Sequence, residues 1–442
     1  MLNNMRNLLT LIFLLPFGAV FAQDNLSLKQ CISYGLQNHS SIKVADNNIE
    51  KSKEQGREAL AAYLPQMNIN GEYDYNVKLQ TSQLMFNDQP TKIAMGSPYS
   101  STLSAQLDQP LFNQSLLLGI RANQPNMELS QLNKEQTNEQ IIYNVSSSYF
   151  QVLVIQKQIQ LLNDNRTRTE KLYSVTKLQA EQGTGKKINA KQVEVNLNNI
   201  NSQIANAQSN YTIALNRLKN AMGMDISANV VLTDTARWVQ NVTATPQNGE
   251  FDYASTTAYK IQEKQIELNE INAKSIRAGY IPTVSMFGRY GMNGIGKTAG
   301  DVFSNQFNYS TIGLKFTIPI LDGFKKDAQY KQAKIAISTA KENLKLNQSN
   351  SGMVFQNATN KREQARTTLQ SDKRNMEMSQ ELYDNVNLQY KGGTASLSDL
   401  LNAESSWSSA QNNFLQSMIN YYVAALDLAN AQGSLEDFYN KL

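Results

Sequence analysis

The sequence predicts a mixed α and β membrane protein, internally duplicated, in which four strands per chain enter a β-barrel shared between chains and long helices form a coiled coil or tube. Three observations predict this. An ordered set of residues recurs at a fixed offset. Two segments, Leu116 to Gln182 and Phe324 to Lys391, are almost free of Gly and Pro. Four short segments alternate apolar and polar residues, the pattern of strands with one face in lipid.

Composition narrows the function. At 442 residues the chain suits two or three domains or one elongated body. Charged residues make up 18% and hydrophobic ones 41%, which excludes a highly charged disordered chain. The 41 Lys+Arg against 37 Asp+Glu give a net charge of +4, without the basic stripe that a nucleic-acid partner requires. One Cys and one His exclude a disulfide framework and the usual zinc clusters. Nucleophilic catalysis would have His39 alone, so no enzyme is expected.

Residues 1–22 read as a signal peptide. Arg6 supplies the charge, Leu8 to Val20 the apolar run and Val20-Phe21-Ala22 the cleavage site, so the mature chain begins at Gln23. Cys31 follows Leu28-Lys29-Gln30, which lacks the small residue that acylation requires. It is placed on a helix face beside Leu28 and Ile32. No later segment forms a 20-residue apolar span, so any membrane crossing must use strands.

The duplication sets the domains. Ala62-Tyr63-Leu64-Pro65 returns 217 residues later as Gly279-Tyr280-Ile281-Pro282, and Gly71, Tyr73 and Asn76 return as Gly288, Tyr290 and Asn293. Tyr173, Gly183-Thr184, Tyr211, Leu218 and Gly223 return 210 residues later as Tyr383, Gly393-Thr394, Tyr421, Leu428 and Gly433. The first repeat, 23–222, holds a helix over Ser27 to Ala62, a hairpin over 65–112, a long helix over 115–182 and a returning helix over 187–222. A linker over 223–250 includes a strand at Val230-Val231-Leu232. The second repeat, 251–433, holds a helix over Tyr253 to Ala278, a hairpin over 282–320, a long helix over 323–391 and a returning helix over 395–432. A tail over 434–442 follows.

Each long helix would extend about 100 Å at 1.5 Å per residue, more than a globular core needs. Heptad spacing marks its seams. Ile141, Val145, Ser148, Val152, Ile155, Ile159 and Leu162 keep a 4-3 rhythm. So do Val193, Leu197, Ile200, Ile204, Ala207, Tyr211, Ala214 and Leu218, and their repeat partners Ala403, Trp407, Ala410, Phe414, Ser417, Tyr421, Ala424 and Leu428. The two shorter helices of a repeat, laid end to end, match the long one and make a uniform rod. Pro125 is expected to kink or restart the first long helix.

The strands follow period two. Met67, Ile69, Gly71, Tyr73, Tyr75, Val77 and Leu79 alternate with Asn68, Asn70, Glu72, Asp74, Asn76 and Lys78. Leu103, Ala105 and Leu107 alternate with Ser104, Gln106 and Asp108. Val284, Met286, Tyr290 and Met292 make a looser third strand. Ile312, Leu314, Phe316, Ile318 and Ile320 alternate with Thr311, Gly313, Lys315 and Thr317. The joining segments, 80–100 and 295–308, read as long polar loops. Pro65, Pro110, Pro282 and Pro319 mark the helix–strand junctions. Four strands cannot close around a channel, and an open sheet in lipid leaves unpaired edges. Several chains must therefore share one barrel; three would supply twelve strands.

Leu26-Ser27-Leu28-Lys29-Gln30-Cys31-Ile32, Tyr63-Leu64-Pro65, Gln109-Pro110-Leu111-Phe112 and Gly393-Thr394 resemble the TolC family of outer-membrane efflux proteins, over nearly the whole mature chain. The resemblance implies a homotrimer with a 12-stranded outer-membrane barrel continued by an α-helical periplasmic tunnel, in the outer membrane of a Gram-negative bacterium. It implies the channel-tunnel of a tripartite efflux or secretion system, passive in itself and surrounded by outer-membrane lipid. Its partners would be a periplasmic adaptor (membrane fusion) protein and an inner-membrane pump of RND or ABC type. With the energy source in the pump, no cofactor is expected.

The resemblance also implies site residues. The tips at Gly183-Thr184 and Gly393-Thr394 would close the tunnel and meet the adaptor. Asp399 and Asn402 match positions where the family carries acidic rings at the entrance, and three copies of Asp399 would favour cations. The plainer role for Asp399 is a solvated carboxylate in the first turn of a helix, set against the helix dipole. Tyr390 matches a Tyr of the family's closed state, but Ala395 and Asn189 stand where the family has Arg and Asp. That ionic latch is missing, and closure must rest on neutral hydrogen bonds or packing. Lys186 and Lys187 beside the first tip suit either an adaptor contact or solubility. Met376-Glu377-Met378 and Met222-Gly223-Met224 read as packing rather than as copper ligands. The competing reading is a periplasmic coiled coil without a pore, which would extract without detergent.

Overall fold

The computed structural model describes residues 24–86, 89–233 and 251–442. The expected signal peptide over 1–22 and the linker residues 234–250 lie outside the described residues.

The chain begins with a short strand, β1 (Asp24–Leu26), and helix α1 (Leu28–Asn38). A capping box starts α1: the Ser27 hydroxyl accepts from Gln30 N–H while the Gln30 side chain accepts from Ser27 N–H. Cys31 is buried with Leu28 and Ile32. The single helix expected from Ser27 to Ala62 is two helices. His39 takes an extended backbone (φ −64°, ψ 132°), and its Nδ1 accepts from Ser41 N–H at 3.2 Å to start α2 (Ser40–Ala61).

This break makes the repeats equal. Helix α2 has 22 residues, and so does its counterpart α6 (Thr257–Ala278), which the Thr256 hydroxyl caps. The helix expected from Tyr253 begins instead with a separate 3₁₀ turn at Tyr253–Ser255. The returning helices, α5 (Lys187–Met222) and α9 (Leu397–Ala431), are followed by left-handed glycines, Gly223 (φ 68°) and Gly433 (φ 67°). A Cβ on Gly223 would stand 2.8 Å from His39 Cα, and one on Gly433 3.4 Å from Thr256 Cα. Each returning helix thus ends against the cap of the outgoing one, and the two form a column beside the long helix.

The long helix of the first repeat is broken where Pro125 requires. Helix α3 (Gln114–Arg121) stops, Ala122 intervenes, and α4 (Asn123–Glu181) restarts with Pro125 in its first turn, where no N–H is needed. The second repeat has Ile335 at the corresponding position, and α8 (Lys325–Lys391) runs 67 residues without a break.

The main sheet is antiparallel in the order β2 (Gln66–Tyr75), β5 (Tyr99–Phe112), β7 (Thr283–Gly296), β8 (Gln306–Thr317). Its register aligns Met67 with Leu107, Gly288 and Ile312, and aligns Ile69 with Ala105, Tyr290 and Ser310. Strand β2 ends at Tyr75, short of Val77 and Leu79. Asn76 turns back there, giving its N–H to the Pro98 carbonyl (2.7 Å) and its side-chain amide to the Ser97 carbonyl (2.9 Å). Strand β8 ends at Thr317, leaving Ile318 and Ile320 outside it. Pro65 and Pro282 precede β2 and β7, and Pro319 follows β8. Pro110 differs: it lies inside β5, at a bulge beyond the last β2 pair, Gln66 with Asp108, where its missing N–H breaks no bond to β2. The two polar loops are structured. Residues 80–100 contain a second hairpin, β3 (Gln80–Phe86) with β4 (Gln89–Met95), and 295–308 contain the short helix α7 (Asp301–Ser304).

At mid-height β6 (Val230–Leu232) pairs in parallel with β1, and the tail forms α10 (Leu435–Asn440). The main core lies here. Tyr149 and Phe150 of α4 pack with Leu28, Leu218, Met222 and Tyr422, and the Phe150 and Tyr422 rings stack at 4.4 Å. That stack joins the repeats through α4 and α9.

Candidate functional site: an open apolar sheet face and two helix tips

One face of the main sheet is apolar and open: Ile312 is 84% exposed, Ile69 71% and Met67 68%. Packing within one chain cannot explain such a surface, because folding normally removes it from water. The opposite face carries Glu72, Asp74, Gln106, Asp108, Arg289 and Lys315. The Gln106 amide donates to both Asp108 carboxylate oxygens (2.9 and 2.8 Å), and Arg289 Nε donates to Gln106 Oε1 at 3.0 Å. At the loop end Tyr73, Tyr75, Tyr99 and Phe303 gather, with centroids 4.8 Å apart for Tyr75–Tyr99 and 6.4 Å for Tyr73–Phe303. Such a ring cluster suits the boundary between lipid and water. Strand alternation alone did not reveal it, since Phe303 lies in a segment read as loop.

The far ends of the helices repeat one geometry. Gly183 and Gly393 each take φ 75°. Thr184 N–H donates to the Gln179 carbonyl at 3.0 Å, and Thr394 N–H to the Gln389 carbonyl at 2.9 Å; both hydroxyls donate to the same carbonyls. This is a Schellman turn, which needs a residue free to adopt positive φ.

Beyond the turns the repeats part. Helix α5 follows Lys186, which provides no side-chain cap. Helix α9 begins with a capping box. Ser396 N–H and hydroxyl donate to Asp399 Oδ2 (2.9 and 2.7 Å), and Asp399 N–H donates to the Ser396 hydroxyl at 3.2 Å. Those bonds hold the Asp399 carboxyl below its usual pKa. Asn402 is exposed one turn further, on an open groove with Ile188, Lys191, Val195 and Leu401. Tyr390 is turned elsewhere. It packs against Tyr383, Leu400, Ala403 and Trp407, and burial raises the pKa of its hydroxyl. Asp399 and Asn402 are thus both exposed, three residues apart on α9, whereas Tyr390 lies on the packed side. Ala395 gives only its N–H, to Gln389 O at 3.3 Å, and Asn189 N–H donates to Lys186 O at 3.0 Å.

Glu404 was missed. It is 4% exposed, and its carboxyl accepts from Thr169 Oγ1 (3.0 Å) and Asn196 Nδ2 (3.2 Å). Arg168 lies over the Trp407 ring at 4.4 Å. Leu400, Glu404, Gln411, Leu415, Met418 and Tyr422 form a second buried row on α9 beside the expected heptad. Among the described residues no cluster of His, Cys, Asp or Glu could hold a metal ion.

A family model described as outer membrane efflux protein matches residues 31–224 and 260–434, one segment on each repeat. The chain belongs to this family. Outer membrane protein TolC of Escherichia coli is 21% identical over 425 residues, covering 91% of this chain and 82% of that protein. Alkaline protease secretion protein AprF of Pseudomonas aeruginosa is 20% identical over 343 residues, covering 74% and 68%. In fold, the transmembrane channel CusC matches with a TM-score of 0.72 at 18% identity, covering 92% of each chain. As a member of the outer membrane efflux family, the protein is an outer-membrane efflux or secretion channel.

Proposed function

We propose that three copies of this chain close one twelve-stranded barrel and one helical tunnel. Together they form the passive exit duct of a tripartite system that includes a periplasmic adaptor and an inner-membrane pump. One observation carries the reading: a four-stranded sheet whose outward face is bare and whose described edges, β2 and β8, pair with no other described strand. Lipid tolerates neither edge, and another copy of the chain supplies both partners. Helix α8 adds support. It exposes Ile335, Leu346, Val354 and Leu382 along its length, a row that suits a neighbouring chain. The tips at Gly183-Thr184 and Gly393-Thr394 are the proposed adaptor contacts. Asp399 and Asn402, both exposed, are the proposed entrance ring, with Tyr390 as a packing support behind it.

The test is purification in detergent followed by mass measurement and planar-bilayer recording. The expected result is a species of three chains that conducts ions, with cation preference reduced by Asp399→Ala. A monomeric species without conductance would overturn the reading.

A further inference from the structure

Glu404 sits where two helical hairpins meet. Helices α4 and α5 form one hairpin and α8 and α9 the other. From α9, the Glu404 carboxyl reaches Thr169 on α4 and Asn196 on α5. A carboxylate at 4% exposure is costly unless its surroundings complete its bonding.

The protons do not suffice for an ionised group. Thr169 has one hydroxyl hydrogen and two acceptors in reach, the Asn165 carbonyl and Glu404 Oε1, each at 3.0 Å. With Glu404 ionised, one of these goes without. With Glu404 protonated, its O–H donates to Thr169, Thr169 donates to Asn165, and Asn196 donates to the other carboxyl oxygen. The charged and titratable groups facing it are Arg168 from α4 and Tyr383 from α8; α5 offers only the neutral Asn196. Arg168 lies over the Trp407 ring instead of forking onto the carboxylate. Arg168 Nε, Asn165 Oδ1 and Trp407 Nε1 have no hydrogen-bond partner among the described residues, so the seam as described is polar and incompletely bonded.

We propose that Glu404 is a proton-switched clasp: neutral, it fastens the two hairpins, and ionised, it lets them part. The inference rests on the duct reading and names what controls the width of its far end. Burial outweighs the Arg168 charge and raises the pKa of the carboxyl in the fastened state. Parting the hairpins returns the group to water and to its ordinary value. The fastened state therefore binds the extra proton, gains as pH falls, and loses ground as pH rises through the raised value.

The experiment is single-channel recording of the full chain from the ordinary carboxylate value, about pH 4.5, upward to about pH 8. It compares the wild type with Glu404→Gln, Glu404→Ala and Thr169→Val. Wild-type conductance should rise several-fold with pH. Glu404→Gln, whose amide donates where the carboxyl O–H did, should stay low throughout. Glu404→Ala should stay high throughout, and Thr169→Val should begin its rise at lower pH. If Glu404→Ala does not assemble, the contrast between wild type and Glu404→Gln decides. A conducting wild type with a flat profile, or a Glu404→Gln channel that keeps the wild-type rise, would overturn the clasp. Silence from every protein, wild type included, would overturn the duct reading itself.

Discussion

In the first repeat the long helix is the buried partner; in the second it is the returning one. Helix α4 buries Ile141, Ile142, Val145, Tyr149, Phe150 and Val152, whereas α8, though longer, buries only Ala333, Ala358, Leu369 and Tyr383. Helix α9 buries two faces, while α5 buries one seam and leaves Ile188, Val195 and Ile213 open. Two halves with matching element lengths and matching turns thus take unequal positions. Helices α4 and α9 make the contact within the chain, and α8 and α5 present surfaces to something outside it. A duplicated sequence gains a specific seam when its copies diverge in what they bury.

The sharpest way to break this comparison is to charge the open surface. Leu346→Glu on α8 should leave the single chain folded, since Leu346 is exposed there, yet abolish the proposed three-chain species, with mass measurement in detergent as the readout. Retention of the oligomer would mean that α8 faces water. A smaller effect separates the two faces of β8. Ile312→Arg should cost about 2–4 kcal/mol near the bilayer midplane, and the adjacent Thr311→Arg far less, in urea unfolding from lipid vesicles. Equal costs would show that the sheet does not have one lipid side.

The smallest effect sharpens the difference at the tips. Ser396→Ala should cost about 1 kcal/mol and Lys186→Ser should gain less than that, both read as shifts in the denaturation midpoint. Asp399 adds a pH signature. Its pKa is lowered in the folded state, so its contribution is present above the ordinary carboxylate value and is lost as pH falls through the lowered one. The penalty of Ser396→Ala should accordingly shrink in acid. A penalty independent of pH would mean that the Ser396–Asp399 box does not form.

What the sequence made legible was periodic. Alternation from Met67 to Tyr75 and heptads from Ala403 to Leu428 show in residue type because one face meets one environment. The break at His39 was illegible for the opposite reason. It depends on an imidazole accepting from Ser41 N–H and on Gly223 allowing close approach from another helix, and neither is a local preference. The β3–β4 ribbon reads as loop in the sequence because polar residues such as Gln80, Thr81 and Gln83 bury nothing. Among the site residues, Asp399 and Ser396 could be read as a cap from their spacing. Glu404 could not, because its burial comes from Thr169 and Asn196, more than two hundred residues away in the chain.

The bare margins of the main sheet have a kinetic consequence on the proposed assembly. A solitary copy has no comfortable solvent: water strands its greasy side and oil strands its ragged rims. Insertion and association then become a single event, whose speed climbs with a steep power of how many newly exported chains meet. Scarce chains would wait, exposed to proteases, while crowded ones commit together.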